Sequence, residues 1–164
     1  MTTLVFADSL NNKIKIGPRA LSGMNGFVQN DSKKREAGGV LLGRFLIGIN
    51  DVIVDHITVP MAGDKRSRFG FFRTKHAHQK RISEAWASSQ GTCNYLGEWH
   101  THPEDDPYPS AHDLTSWKNK LNLDRFDSDF LFFIIVGTVR VNAWEGHRND
   151  GQFEKLSLVP IIQA

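Results

Sequence analysis

The sequence predicts a mixed-sheet α/β (α+β) domain. Segments with strand character dominate it, helical patterns intervene at irregular intervals, and 164 residues with 40% hydrophobic and 23% charged side chains suffice for one core without staples. Residues 3–7 and 13–16 read as short strands. Pro18 opens an amphipathic helix in which Leu21, Met24 and Phe27 or Val28 recur at helical spacing. Gly38 to Ile49 and Asp51 to Val59 are rich in Val, Leu, Phe and Ile around the turn signal Gly48-Ile49-Asn50-Asp51, which predicts a hairpin. From about Thr74 to Ser89, His78, Ile82, Ala85 and Trp86 recur at three and four, so a second helix is expected, stopping at Gly91. Tyr95 to Thr101 then reads as a strand and Ser110 to Leu121 as a third helix. β-Rich segments follow at about 130–136, 138–144 and 153–159. Trp86, Trp99, Trp117 and Trp144 are read as core packing, and Cys93 as a small buried residue.

Composition narrows the function classes. A single cysteine excludes an internal disulfide and is compatible with a reducing compartment. The longest apolar runs, such as Leu131-Phe132-Phe133-Ile134-Ile135-Val136, fall far short of the roughly 20 residues that span a bilayer. The first residues, Met-Thr-Thr-Leu-Val-Phe-Ala-Asp, lack the basic segment of a secretory signal, and a cytoplasmic chain folded as one domain over 1–164 is expected. The formal charge of +2 is too small to imply a nucleic-acid partner, although Lys65, Arg66, Arg68, Arg73, Lys75, Lys80 and Arg81 crowd one stretch.

The chemistry concentrates in Gly97-Glu98-Trp99-His100-Thr101-His102-Pro103 and in Ser110-Ala111-His112-Asp113. On a strand, residues two apart project to the same face, so His100 and His102 present two imidazoles side by side and Trp99 faces the other way. Pro103 cannot continue the ladder and sends the chain into a loop. Ser110 has the character of a helix N-cap, which places Asp113 in the first turn, where the helix dipole favours its ionised form. Two imidazoles and a carboxylate make a sensible ligand set for a catalytic zinc, because three protein ligands leave a fourth position for water. The cap competes with this reading: an aspartate folded back onto the cap is not expected to reach a metal as well. A second carboxylate must then take the water's proton and pass it to a leaving amine. Glu36 stands before Ala37-Gly38-Gly39 at the mouth of an apolar strand, where partial desolvation would raise its pKa. Each piece alone has an ordinary structural reading; the joint order and spacing carry the chemistry.

Glu36 followed by His100-x-His102-Pro103-x6-Ser110-x2-Asp113 matches the signature of the JAMM (MPN+ or JAB) metalloprotease family without a substitution, and the resemblance extends over almost the whole chain. It implies a single curved mixed β-sheet flanked by helices, related to the cytidine deaminases, and a zinc-dependent isopeptidase or peptidase that cleaves after the C-terminus of ubiquitin or a ubiquitin-like protein. By that resemblance His100, His102 and Asp113 hold one Zn2+, Glu36 polarises the water and moves its proton, and Ser110 stabilises the oxyanion. Glu36-Ala37-Gly38-Gly39-Val40-Leu41-Leu42-Gly43 and the histidine run are most similar to bacterial JAB deconjugases encoded beside ubiquitin-activating and ubiquitin-conjugating enzyme homologues. Some of those operons are anti-phage systems built around a cyclic-oligonucleotide synthase, which the deconjugase would release from its targets.

The expected partner is a protein with an extended C-terminal tail, and the basic, aromatic loop at 65–73 could clamp it. There Arg66, Arg68, Phe69 and Arg73 are the candidate substrate contacts. Nucleic acid and membrane are not expected as partners. His76 and His78 lie in a helical pattern, where residues two apart do not face one another, so they predict no second metal, and His56 and His147 have no placed partners. Alternative readings are C-terminal trimming of a ThiS/MoaD-like sulfur carrier, a RadC-type DNA-associated JAB protein, and a non-catalytic binding module on the same fold. RadC-type chains carry a helix-hairpin-helix segment that is not evident here, and binding modules generally lose a ligand position, whereas every position is filled.

Overall fold

Every side chain from Phe130 to Val136 is apolar, and successive strand residues face opposite ways, so this segment must be covered on both sides. The computed structural model, which describes residues 2–160, meets that demand. In chain order the elements are β1 (Leu4–Ala7), β2 (Lys13–Ile16), α1 (Pro18–Asn25), β3 (Gly38–Phe45), β4 (Val52–Ile57), β5 (Lys65–Ser67) and β6 (Gly70–Phe72). They continue with α2 (Lys75–Ser88), β7 (Asn94–Thr101), α3 (Ala111–Leu123), β8 (Phe130–Val136), β9 (Val141–His147), β10 (Phe153–Lys155) and β11 (Ser157–Leu158). Phe132, Ile134 and Val136 of β8 enter one core with Phe6, Ile14, Met24 and Trp99. Leu131, Phe133 and Ile135 enter a second with Trp117, Leu121 and Trp144, where Trp117 stacks on Phe133 at 4.6 Å between ring centroids.

The fold is thus the expected mixed α+β arrangement, a curved sheet of nine strands in the order β10-β9-β8-β7-β3-β4-β2-β1-β11. β2 pairs with β4 and β7 with β8 in parallel, while the other ladders are antiparallel. The two outermost strands, β10 and β11, are separated in the chain by Leu156 alone. That residue is buried, and its N–H donates to the Ala143 carbonyl. One short stretch of chain therefore protects both edges of the sheet, whose open N–H and C=O groups would otherwise invite pairing with other chains.

Several boundaries differ from the sequence reading for identifiable reasons. β3 ends at Phe45 because Leu46 N–H already closes a turn onto Asp51 O, which leaves Ile47 and Ile49 in solvent. β9 starts at Val141, since Gly137 N–H and Arg140 O close the preceding turn. The expected strand at 153–159 is two strands on opposite edges. The expected loop at 65–73 contains the hairpin β5–β6, and Phe71 packs over Gly38, where a Cβ would meet it. Trp86 is not core: it is 55% exposed on the flank of α2, whose only fully buried side chain is His78.

The ladder between β3 and β7 shifts register between Leu41 and Leu42, because β7 carries an extra residue, a bulge at Leu96 and Gly97. Gly97 has φ of 142°, and a Cβ there would strike the Phe132 carbonyl. Gly97→Ala is expected to lower unfolding free energy by at least ~2 kcal/mol, since the backbone conformation alone disfavours a side chain by roughly 1–3 kcal/mol. Urea unfolding followed by circular dichroism measures it; an unchanged midpoint would contradict the assigned bulge.

Candidate active site

β7 delivers His100, and one residue beyond it His102 N–H still donates to Val136 O of β8, so the strand geometry carries through both histidines. Their Nε2 atoms lie 3.0 Å apart. After Pro103 the chain loops away, held by Thr138 N–H to Glu104 O, Arg140 N–H to Asp105 O and Asn142 Nδ2 to Asp106 Oδ1. The acidic run 104–106 therefore fastens this loop to the turn after β8.

The loop ends in a reciprocal cap at the start of α3. Asp113 N–H donates to Ser110 Oγ at 3.0 Å, and Ser110 N–H donates to Asp113 Oδ2 at 2.8 Å. The cap and the approach to the two imidazoles coexist in one side chain. A carboxylate has two oxygens with several lone pairs: Oδ1 lies 3.4 Å from His100 Nε2, and Oδ2, while accepting at the cap, lies 3.2 Å from His102 Nε2. Separations of 3.0–3.4 Å match the edge of a tetrahedron about a metal bonded at about 2.0–2.1 Å, which is roughly 3.3 Å.

Glu36 immediately precedes Ala37 and β3, and four hydrogen bonds fix its segment. Glu36 N–H donates to Ser67 O and its carbonyl accepts from Arg66 Nε, both at 2.7 Å. Ala37 N–H donates to Thr101 Oγ1, and Thr101 N–H donates to Ala37 O. The Thr101 hydroxyl in turn donates to Gln29, whose amide holds Lys34 O and Arg68 O. The result is a Glu36 carboxylate, 4% exposed, with Oε1 3.8 Å from His102 Nε2. Glu36, His100 and His102 each bring a ligand atom within 4.8 Å of the other two, and Asp113 lies closer to both imidazoles.

The electrostatics separate the two carboxyls. Burial pushes Glu36 up to about 8, against the lowering effect of His102. Burial also opposes ionisation of Asp113, but hydrogen bonds from His100 and His102 and from the Ser110 backbone outweigh it and hold that carboxyl well below the usual range. Burial lowers His100. It lowers His102 too, but the facing carboxylates of Asp113 and Glu36 prevail and raise it. His102 Nδ1 is wholly shut off from solvent and makes no hydrogen bond among the described residues, with Glu104 Oε2 3.7 Å away. A neutral imidazole that carries its proton on Nδ1 leaves the Nε2 lone pair free to face Asp113 and His100, so this donor set fits a metal of borderline softness.

A groove of about 260 Å³ runs beside the site, lined among others by Phe71, Phe72, His112, Asp113 and Lys120. A larger concavity, about 1050 Å³ between α1 and the ends of β3 and β4, shares no residue with the site.

The candidate substrate contacts divide. Phe69, 78% exposed, and Arg68, stacked on it, occupy the tip of the β5–β6 hairpin. Arg66 is committed to Glu36 O. Arg73 turns inward, its Nε donating to both oxygens of Glu98 at 2.8 and 3.0 Å, with Asp124 at 3.6 Å. Tyr95 OH lies 2.9 Å from both Glu98 and Asp124. Sequence reasoning missed this cluster, because nothing along the chain links positions 73, 95, 98 and 124. It also missed His78, buried with Nε2 2.8 Å from Asp64 and Nδ1 2.7 Å from Thr58 Oγ1; Asp64 further accepts from Thr74 and Met61 N–H.

The family model for prokaryotic homologs of the JAB domain matches residues 28–147, a span that contains Glu36, both histidines, Ser110 and Asp113. The chain belongs to that family. Among curated relatives, three bear the name CD-NTase/cGAS isopeptidase. The JAB chain is 39% identical over 131 residues to the one from Pseudomonas aeruginosa, covering 80% of this chain and 81% of that protein. The Escherichia coli relative is 33% identical over 156 residues, 95% of each chain, and the Vibrio cholerae relative 37% over 145, 88% of each. A protein of Desulfitobacterium hafniense solved in solution superposes with a TM-score of 0.59 at 18% identity, covering 85% of this chain and 87% of that one, which shows the shared fold alone.

Truncation of Arg73 strands a buried carboxylate. Arg73→Ala is expected to destabilise the JAB domain by about 3–5 kcal/mol, the usual consequence of removing one partner of a buried ion pair. Arg73→Ala combined with Glu98→Gln should recover part of that loss, as a double-mutant cycle in urea would show.

Proposed function

We propose that this JAB domain is a zinc-dependent isopeptidase that releases a cyclic-oligonucleotide synthase from conjugates formed through the synthase's C-terminus. The observation that carries the reading is the convergence of His100, His102 and Asp113 within 3.0–3.4 Å, with the Glu36 carboxylate just outside them. Membership of the JAB family and the isopeptidase names of the relatives support the reaction class and the substrate.

In this reading His100, His102 and Asp113 hold one zinc ion. Bound zinc supplies Lewis-acid chemistry, acidifying water and polarising the carbonyl of the scissile bond. Glu36 takes the proton of the attacking water on its carboxylate and delivers it to the departing lysine ε-amine or α-amine. Its backbone, held at both N–H and C=O by the β5–β6 hairpin, keeps the carboxylate aimed without help from substrate. Ser110 Oγ accepts from Asp113 N–H, which leaves its own O–H free to donate to the developing oxyanion.

The tail of the substrate lies extended in the groove between β6 and α3, adding its backbone to the free edge of β6. Phe69 and Arg68 at the hairpin tip meet the body of the substrate. Arg66 and Arg73 serve recognition from within, by holding the hairpin's roots rather than by touching the substrate.

The test is cleavage of a reporter fused to the C-terminus of such a synthase. Wild-type protein should release the reporter, and a chelator should abolish release until zinc is restored. Glu36→Gln should abolish release with the wild-type zinc content by elemental analysis, whereas Asp113→Ala should lose release together with one zinc ion per chain. Cleavage of a sulfur-carrier fusion in place of the synthase fusion would reassign the substrate, and normal cleavage by Glu36→Gln would remove that residue from the mechanism. Ser110→Ala should lower kcat by roughly 10²–10³-fold with little change in KM, the usual effect of losing one oxyanion donor. A change confined to KM would assign Ser110 to capping alone.

A further inference from the structure

A second set of metal-type side chains lies at the seam where the sheet closes, outside the site described above. Glu145 and His147 are two apart on β9 and share a face, and Glu154 on β10 is the register partner of Glu145. One ligand atom from each lies within 4.8 Å of the other two, with His147 Nε2 4.0 Å from Glu145 Oε2. An independent observation concerns Glu145 itself, which is only 5% exposed and faces a cavity of about 180 Å³. No hydrogen bond among the described residues reaches its carboxylate, although buried carboxylates are ordinarily paired or hydrogen-bonded.

The surroundings favour a cation. Asp8 and Glu145 line this cavity and Glu154 adds a third carboxylate beside Glu145, against one ammonium, Lys13, in the lining. Asp8 is already occupied by Leu10 N–H, Asn12 N–H and the Asn12 amide, so it contributes field rather than a ligand. Glu154 Oε1 accepts from Ser9 N–H at 2.8 Å, which leaves Oε2 free. His147, the last residue of β9, has a side chain 40% exposed and can swing inward to bring the three ligand atoms to bonding separations.

We propose that Glu145, His147 and Glu154 form a second divalent-metal site of zinc type, which fastens the closing seam of the sheet. Imidazole with two carboxylates suits zinc better than calcium or magnesium, which take oxygen ligands alone. Through Ser9 the metal also ties the β1–β2 turn to β9 and β10.

The test is zinc content by elemental analysis after equilibration with zinc and gel filtration, on the wild type, His147→Ala, Asp113→Ala and the double variant. The proposal expects two ions per chain in the wild type, one in each single variant and none in the double. Zinc should raise the melting temperature of Asp113→Ala but not of the double variant, and Glu145→Gln should behave as His147→Ala. His147→Ala should cleave at the wild-type rate. A double variant that keeps all the zinc bound by Asp113→Ala, or an Asp113→Ala protein that binds none, overturns the seam site. Zinc content unchanged by Asp113→Ala but reduced by His147→Ala would instead sink the reading of Asp113 and leave the seam site standing.

Discussion

The Asp113 carboxylate meets two demands at once. It accepts from the N–H of Ser110 at the start of α3, where the helix dipole favours an anion, and it also faces His100 and His102 at the end of β7. A helix and a strand separated by a nine-residue loop are thereby registered through one side chain. Without the cap, α3 would keep its packing through Trp117 and Leu121, but nothing would fix the rotation of its first turn against β7. The loop contributes as well, since the carbonyls of Glu104 and Asp105 and the side chain of Asp106 bond the turn after β8 and the start of β9.

Glu36 is fixed by different means. No helix or regular ladder holds it; its N–H donates to Ser67 O and its carbonyl accepts from Arg66 Nε in the β5–β6 hairpin, and two bonds between Ala37 and Thr101 complete the support. The hairpin is itself rooted by buried polar groups, with Arg73 on Glu98 at one side and His78, Asp64 and Thr58 at the other. Short strands with few apolar side chains are marginal alone, so these roots supply what side-chain packing does not. The buried Glu36 carboxylate and the exposed tip of the hairpin thus share one scaffold.

Much of this was legible in the sequence where the signal is local. The period-two placement of His100 and His102, the cap signature of Ser110 and Asp113, and the apolar run of β8 each follow from neighbours within a few residues. Glu36 was legible only jointly with them. Contacts set by tertiary approach were not legible: Arg73 and Glu98 are 25 positions apart, and Lys65, Arg66 and Ser67 carry no alternation that would announce a strand. Trp86 misled because its helical spacing was right while its face of α2 was not covered. Capping by Asp113 and its approach to the histidines compete if side chains are counted and are compatible if oxygens are, which only the folded geometry displays.

Leu156 joins the two outermost strands of the sheet, so the edges share a fate. In an open sheet each border can peel away by itself, and local opening begins wherever pairing is weakest. Here, lifting β11 from β1 pulls on β10 through a single buried leucine. Amide protons at the two borders should therefore become accessible to solvent as one cooperative unit, which makes this stretch of chain a latch rather than a frayed tail.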